Sequence, residues 1–298
     1  MRLNGLFAFP VTPFTAENSV DLRCYHELLQ SLLAGKPHAL FACGGTGEFF
    51  SLNLAEYSAL VAAAVEEARG AVPVIAGVGY GTPLATEFVG AAEKAGADAV
   101  LVLPPYLLQS EQEGLFQHYR ALASATQLGI IVYQRDNAIF SPDTAARLAQ
   151  IPNVIGLKDG HGDMERLSRI QLAVGDDFRI LNGMPTAELS ALAFAGLGIY
   201  AYSSAVFNFV PEISLGFYKA LIEADSRRLH EYLEIFYRPF AELRDRKRGY
   251  AISLVKSAVS LRGKSAGPVR PPLVNPSASD VAELKAIIDH ALQVLKTD

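Results

Sequence analysis

Lys158 closes the apolar run VIGL. If that run is a buried strand, the amine ends in a desolvated mouth, where the ammonium is disfavoured and its pKa falls. A neutral amine can attack a carbonyl and form an imine. The ordinary alternative is a lysine that snorkels to the rim or caps a helix end. Tyr133 closes a second run, GIIVY. On a neighbouring strand ~4.8 Å away, its phenol can reach the same cavity and carry protons to and from an adduct. A core tyrosine with a satisfied hydroxyl is the alternative. The segment Gly44 to Glu48, GGTGE, combines glycine amides with the Thr46 hydroxyl. Such a segment can cradle a carboxylate, or form only a tight turn. Glu48 itself reads as a brace for the loop. Arg135 can grip a second carboxylate bidentately, or pair with a surface acid. Other apolar runs end in Pro104-Pro105-Tyr106, Asp136-Asn137, Asn182-Gly183 and Ser203-Ser204. No zinc spacing occurs among six histidines and two cysteines, and His161 with Asp163 is too little for a metal site.

These side chains meet only if the fold gathers strand ends. Candidate strands are residues 6–11, 39–43, 72–78, 99–103, 129–133, 154–158, 179–182 and 198–203, alternating with Ala/Leu/Glu segments of helical period. Runs such as AVLVL and GIIVY are apolar throughout, as parallel strands buried on both faces must be. Asn53 with Glu56 predicts a capping box. Thr82-Pro83 and Ser141-Pro142 each place a capping hydroxyl before a first-turn proline. Gly35, Gly96 and Gly196 follow helical stretches, where a left-handed residue can stop a helix. No G-x-G-x-x-G follows the first strand, which argues against an open dinucleotide-binding sheet. The expected fold is an α/β, (β/α)8 TIM barrel over residues 1–224, with its chemistry at the C-terminal ends of the strands. After Ala224 the strand signal fades. Residues 225–298 read as a C-terminal helical extension packed on the barrel.

Composition excludes several functions. The chain has 298 residues, 50% apolar and 19% charged, enough to bury a large core. A formal net charge of −5 makes nucleic acid and anionic membrane poor partners. No apolar stretch reaches the ~18 residues of a membrane span. Prolines interrupt the N-terminal apolar segment before a secretory signal can form. Two cysteines, Cys24 and Cys43, suit a reducing cytoplasm.

Together, PVTPF (residues 10–14), GGTGE, GADAVLVLPPY, IVYQR and GLKD resemble the dihydrodipicolinate synthase / N-acetylneuraminate lyase superfamily over essentially the whole chain. The resemblance implies a Schiff base between Lys158 and a 2-keto acid, proton relay by Tyr133, and carboxylate binding by Gly45 and Thr46. Two positions depart from the synthases: Gly45 stands where they carry a hydroxyl residue, and Leu107 where they carry a second tyrosine. Through GGTGEFFSL, AGVGYGT, VYQRDNA, GLKDGHGD and YSSAVFNFVPE the chain is similar to the 5-dehydro-4-deoxyglucarate dehydratases. That branch has Asn where Gln134 stands, a change expected to matter little. The implied reaction removes water and CO2 from a keto-deoxy sugar diacid, giving 2,5-dioxopentanoate. A second anion grip would come from Arg135, Asn137, Ser203 or Ser204, with Gly183 also in the substrate site. No cofactor and no metal are implied, because the imine supplies the electron sink. The implied partner is the small diacid, and the implied assembly a homo-oligomer, dimer or tetramer. A class I aldolase that cleaves a 2-keto-3-deoxy sugar acid to pyruvate shares the imine and is one alternative; a dihydrodipicolinate synthase-like condensation is the other.

Overall fold

The structure is a computed structural model that describes residues 3–295. Eight parallel strands, β1 (Leu6–Ala8), β2 (Ala39–Ala42), β3 (Val74–Val78), β4 (Ala99–Val102), β5 (Gly129–Gln134), β6 (Val154–Asp159), β7 (Arg179–Asn182) and β8 (Tyr202–Ser204), pair in chain order. β8 then closes on β1 to complete the barrel. Helices α1 (Leu22–Ala34), α2 (Leu54–Ala68), α3 (Thr82–Lys94), α4 (Gln112–Ser124), α5 (Pro142–Ala149), α6 (Met164–Val174), α7 (Ala191–Gly196) and α8 (Pro211–Ile222) follow the strands in turn. β1 stops short of Val11, since Pro10 has no N–H to give a ladder. Each strand feeds two cores. Phe7, Phe41, Ile75, Leu101 and Ile131 fill the barrel, while their neighbours Leu6, Leu40, Val74, Val100 and Val132 pack under the helices. Burial on both faces is why the runs are continuously apolar.

The predicted punctuation is partly realised. Asn53 and Glu56 form a reciprocal capping box, and Ser141 caps α5 by accepting from the Thr144 amide. Thr82 does not cap. It lies inside the first turn of α3 behind Gly81, and its hydroxyl pairs with His118 Nδ1 at 2.8 Å. Gly96 is left-handed at φ 87°, but Gly35 is right-handed at φ −76°, and Gly198 rather than Gly196 turns left after α7.

Beyond α8 come α9 (Ser226–Tyr232), a π-helical turn over Leu233–Tyr237, α10 (Arg238–Arg244), α11 (Tyr250–Leu261) and α12 (Ala278–Val294). Pro239 lacks the N–H that would return to the Ile235 carbonyl, so a widened turn precedes it. Phe236, Phe240, Val255 and Leu284 join the same buried cluster as the barrel's outer shell. Among the described residues, no helix is long and apolar enough to cross a membrane.

A buried ion pair ties the extension to the GGTGE loop. Glu48 is fully buried and left-handed at φ 55°, and its Oε1 accepts from Lys256 Nζ of α11 at 3.0 Å. Its Oε2 accepts the Arg270 amide at 3.1 Å, while the Arg270 guanidinium grips Glu56. Burial pushes the Lys256 ammonium down to about 8 against the pull of Glu48. Removing one partner of such a pair strands the other charge. Lys256→Met should therefore lower unfolding free energy by about 3–5 kcal/mol in a urea titration. The Glu48→Gln/Lys256→Met double variant should lose less, and an equal or larger loss would show that the pair is not what Lys256 contributes.

Candidate active site

The β5–β6 ladder sets Tyr133 directly opposite Lys158, both inward and each 5% exposed. Lys158 Nζ lies 4.3 Å from the centroid of the Tyr133 ring and 4.6 Å from that of Phe9. Burial lowers the Lys158 pKa, Tyr133 opposes this and Arg135 adds to it; no carboxylate figures among these influences. Burial alone would raise the Tyr133 phenol, but Lys158 and Arg135 outweigh it, so its pKa falls below the usual tyrosine value. Each group thus holds its proton less tightly than it would in water. The phenol donates to the Gly183 carbonyl at 2.9 Å, and Arg135 Nη1 approaches its oxygen at 3.5 Å.

A cavity of about 410 Å³ opens above this pair, within the usual size of small-molecule sites. Gly45, Thr46, Arg135, Gly183 and Ser203 line it with Lys158 and Tyr133. Left-handed residues bracket the GGTGE loop, Cys43 at φ 53° and Glu48 at φ 55°. The loop folds so closely over β3 that a Cβ on Gly77 would sit 2.2 Å from the Cys43 carbonyl oxygen. Among the described residues, the amides of Gly45 and Thr46 and the Thr46 hydroxyl have no hydrogen-bond partner in the chain. Both residues line the cavity, and unpaired amide and hydroxyl donors of this kind can hold a carboxylate.

Gly183 has a steric role besides its carbonyl. A Cβ there would meet Lys158 Cγ at 2.6 Å and Asp159 O at 3.0 Å. Gly183→Ala must push the lysine stem aside, and misplacing a reacting atom by about 1 Å can cost ~100-fold. We expect kcat to fall by roughly that factor with the fold retained by circular dichroism; unchanged kcat would show that Lys158 has slack.

Two expected residues lie elsewhere. Asn137 is not on the cavity wall. Its Nδ2 donates to the carbonyls of Pro105 at 2.7 Å and Leu108 at 2.5 Å, which braces the loop after β4. Ser204 points outward from β8, where its Oγ donates to Glu188 Oε1 at 2.6 Å and meets Ser214 Oγ at 3.0 Å. Burial raises the Glu188 pKa to about 7. Stability should then decline as pH rises from about 4.5, the ordinary value, to about 7, where the folded protein ionises it. Glu188→Gln should flatten this decline and raise the melting temperature at pH 8, and an unchanged pH profile would rule out a titrating Glu188.

Gln134 also faces away from the cavity. It is fully buried, donating to Asp159 Oδ1 at 2.7 Å and accepting the Phe140 amide at 2.9 Å. Asp163 caps α6, accepting from the Arg166 amide at 3.0 Å. No three His, Cys, Asp or Glu side chains converge among the described residues. Sequence reasoning missed Phe9, Thr186 and, from the extension, Arg244, Ile252 and Val255, all on the cavity wall. Nothing in the local pattern of α10 or α11 marks them, because only packing turns those faces toward the barrel mouth.

Comparison with known proteins agrees with this geometry. The model of the dihydrodipicolinate synthetase family matches residues 2–291. The chain is 51% identical over 289 residues to a "Probable 5-dehydro-4-deoxyglucarate dehydratase" of Streptomyces griseus, covering 95% of this chain and 90% of the relative. It is 49% identical to a like-named protein of Bradyrhizobium diazoefficiens, covering 96% and 91%. Among solved structures, the dihydrodipicolinate synthase of Bacillus clausii superposes with a TM-score of 0.89 at 27% identity, covering 96% of this chain and 97% of that one. The synthase of Thermotoga maritima does so at 0.85 and 30%, covering 96% and 97%. A closed parallel barrel, a buried lysine opposite a tyrosine, and a match over nearly all residues lead to one assignment: the chain belongs to the dihydrodipicolinate synthetase family.

Proposed function

We propose that the protein is a decarboxylating hydro-lyase that converts 5-dehydro-4-deoxy-D-glucarate to 2,5-dioxopentanoate, CO2 and water in sugar-acid catabolism. The observation that carries this reading is the buried Lys158 amine facing Tyr133, in a salt bridge with no carboxylate among the described residues. The relatives' printed names support the substrate. Lys158 condenses with the C5 ketone and expels water. The iminium acidifies C4, and Tyr133 or a bound water takes that proton as the C3 hydroxyl leaves. The conjugated iminium then acidifies C2. Loss of the C2 proton and protonation at C5 turn C2 into a ketone conjugated through C3=C4. That ketone accepts the electron pair as the C6 carboxylate leaves C5 as CO2, after which protonation at C3 and C4 restores an iminium at C5. Hydrolysis then returns the amine and frees the product. No cofactor is needed for these steps. Gly45 and Thr46 hold the keto-acid carboxylate, Arg135 and Ser203 the hydroxyl oxygens near the reacting carbons, and Gly183 keeps lysine and phenol in place.

In this reading residues 1–224 form the catalytic barrel, and residues 225–298 an extension that completes the cavity wall. The protein acts in the cytoplasm on a small diacid, as a homo-oligomer. Support for assembly comes from Tyr106, Leu107 and Leu108 in the loop after β4, which expose 70%, 80% and 66% of their surface. Mixing the protein with 5-dehydro-4-deoxyglucarate and borohydride, while measuring CO2, tests the function. A reduced adduct on Lys158 with CO2 released is the expected result. An adduct with pyruvate released instead of CO2 would reassign the protein as an aldolase, and substrate consumption without an adduct would overturn the imine.

A further inference from the structure

We propose that Arg244, carried by the extension rather than the barrel, forms a second carboxylate subsite that selects keto-deoxy diacids over monoacids. This deepens the function proposed above and rests on it. Arg244 ends α10 and lines the cavity, with its side chain only 12% exposed. Its Nε and Nη2 donate to the two oxygens of Asp245 at 2.7 and 2.9 Å, and Nη1 donates to Thr186 Oγ1. Three of its five N–H groups are thereby engaged, and two are left for a ligand. Asp245 is 66% exposed and does not line the cavity, so water screens it and it mainly aims the guanidinium.

Thr186 shares that wall in a conformation β-branched residues avoid, left-handed at φ 47°. Such a residue costs about 1–3 kcal/mol and persists where its surroundings demand it. Here the strain presents its hydroxyl to Arg244. Phe240, Ile252 and Val255 add apolar wall, which strengthens any ion pair formed within it.

The cavity's two guanidinium groups occupy different stations. Arg135 lies within 3.5 Å of the Tyr133 hydroxyl, at the reacting end. Arg244 is absent from the charges that act on Lys158 and Tyr133, whereas Arg135 acts on both. A six-carbon diacid bound through its C5 ketone carries its other carboxylate four carbons away. Arg244, removed from the reacting pair, suits that distal group, and a monoacid with a terminal hydroxymethyl in its place would forfeit the pairing.

The test compares 5-dehydro-4-deoxyglucarate with 2-keto-3-deoxygluconate, reading half-saturation of borohydride trapping on Lys158 and KM separately from kcat. Arg244→Met should weaken diacid binding ~10–100-fold, the range of one charge-assisted pair, and weaken the monoacid far less. Arg244→Lys should recover part of the preference, and it carries the same test if the methionine variant does not fold. Equal losses for both acids, or no loss for the diacid, would overturn the subsite while the proposed function stands. A wild-type protein that forms no adduct with the diacid overturns the proposed function, and the subsite with it.

Discussion

Lys158→Met should abolish turnover, by roughly 10⁴-fold or more, because no neighbouring group can replace an imine-forming amine. Borohydride trapping should vanish with it. A second readout moves the opposite way. Among the described residues no carboxylate pairs with the buried amine to offset its desolvation, and methionine fills the same space with no charge to bury. The variant should therefore be at least as stable as wild type in a thermal melt. Loss of activity together with a large loss of stability would indicate a structural lysine. The wild-type pH profile carries the same argument. Burial lowers Lys158 below its ordinary 10.5, so the reactive free amine grows as pH rises, and kcat/KM should climb to a plateau below pH 10.5.

Tyr133→Phe should lower kcat by roughly 10²–10³-fold, the scale of a lost proton carrier. Imine trapping with pyruvate should persist at a reduced rate, since the nucleophile remains. The pH profile distinguishes relay from packing. Expulsion of water during imine formation needs the protonated phenol as donor, which leaves the phenolate to take the C4 proton. The phenol titrates below its ordinary value of 10.0, so the wild-type rate should fall again at alkaline pH as the phenol loses its proton. Phenylalanine should remove that alkaline limb. Tyr133 also raises the Lys158 pKa, so its loss should move the acid limb to lower pH. These limbs belong to the coupled pair rather than to either residue alone. A variant with wild-type kcat would reduce Tyr133 to a packing residue.

The barrel and the facing pair of Lys158 and Tyr133 were legible in the sequence because their signals are local. A strand buried on both faces must be apolar throughout, and a polar residue at its end stands out. Lys158 and Tyr133 stood out in this way, and parallel pairing in register did the rest. Gly45, Thr46, Gly183 and Ser203, read from the same strand ends, line the cavity. Direction was harder. Alternation along β8 turns Ser203 inward and Ser204 toward Glu188, and the loop after β5 turns the Asn137 amide to two carbonyls instead of the cavity. A one-residue change of face decides such cases, and composition does not report it.

The rest of the site belonged to tertiary structure alone. Glu48 reads as a loop residue until Lys256, 208 positions later, buries itself against it. Arg244 sits in the charged stretch AELRDRKRG, which looks like any solvated helix end. Only the docking of α10 and α11 over the barrel mouth makes it part of a wall with Thr186. The sequence by itself determined the fold and the imine-forming chemistry, because hydrophobic period and strand-end polarity are written within a few consecutive residues. Which charges face the substrate depends on how distant helices dock, and that packing is decided jointly by the whole core.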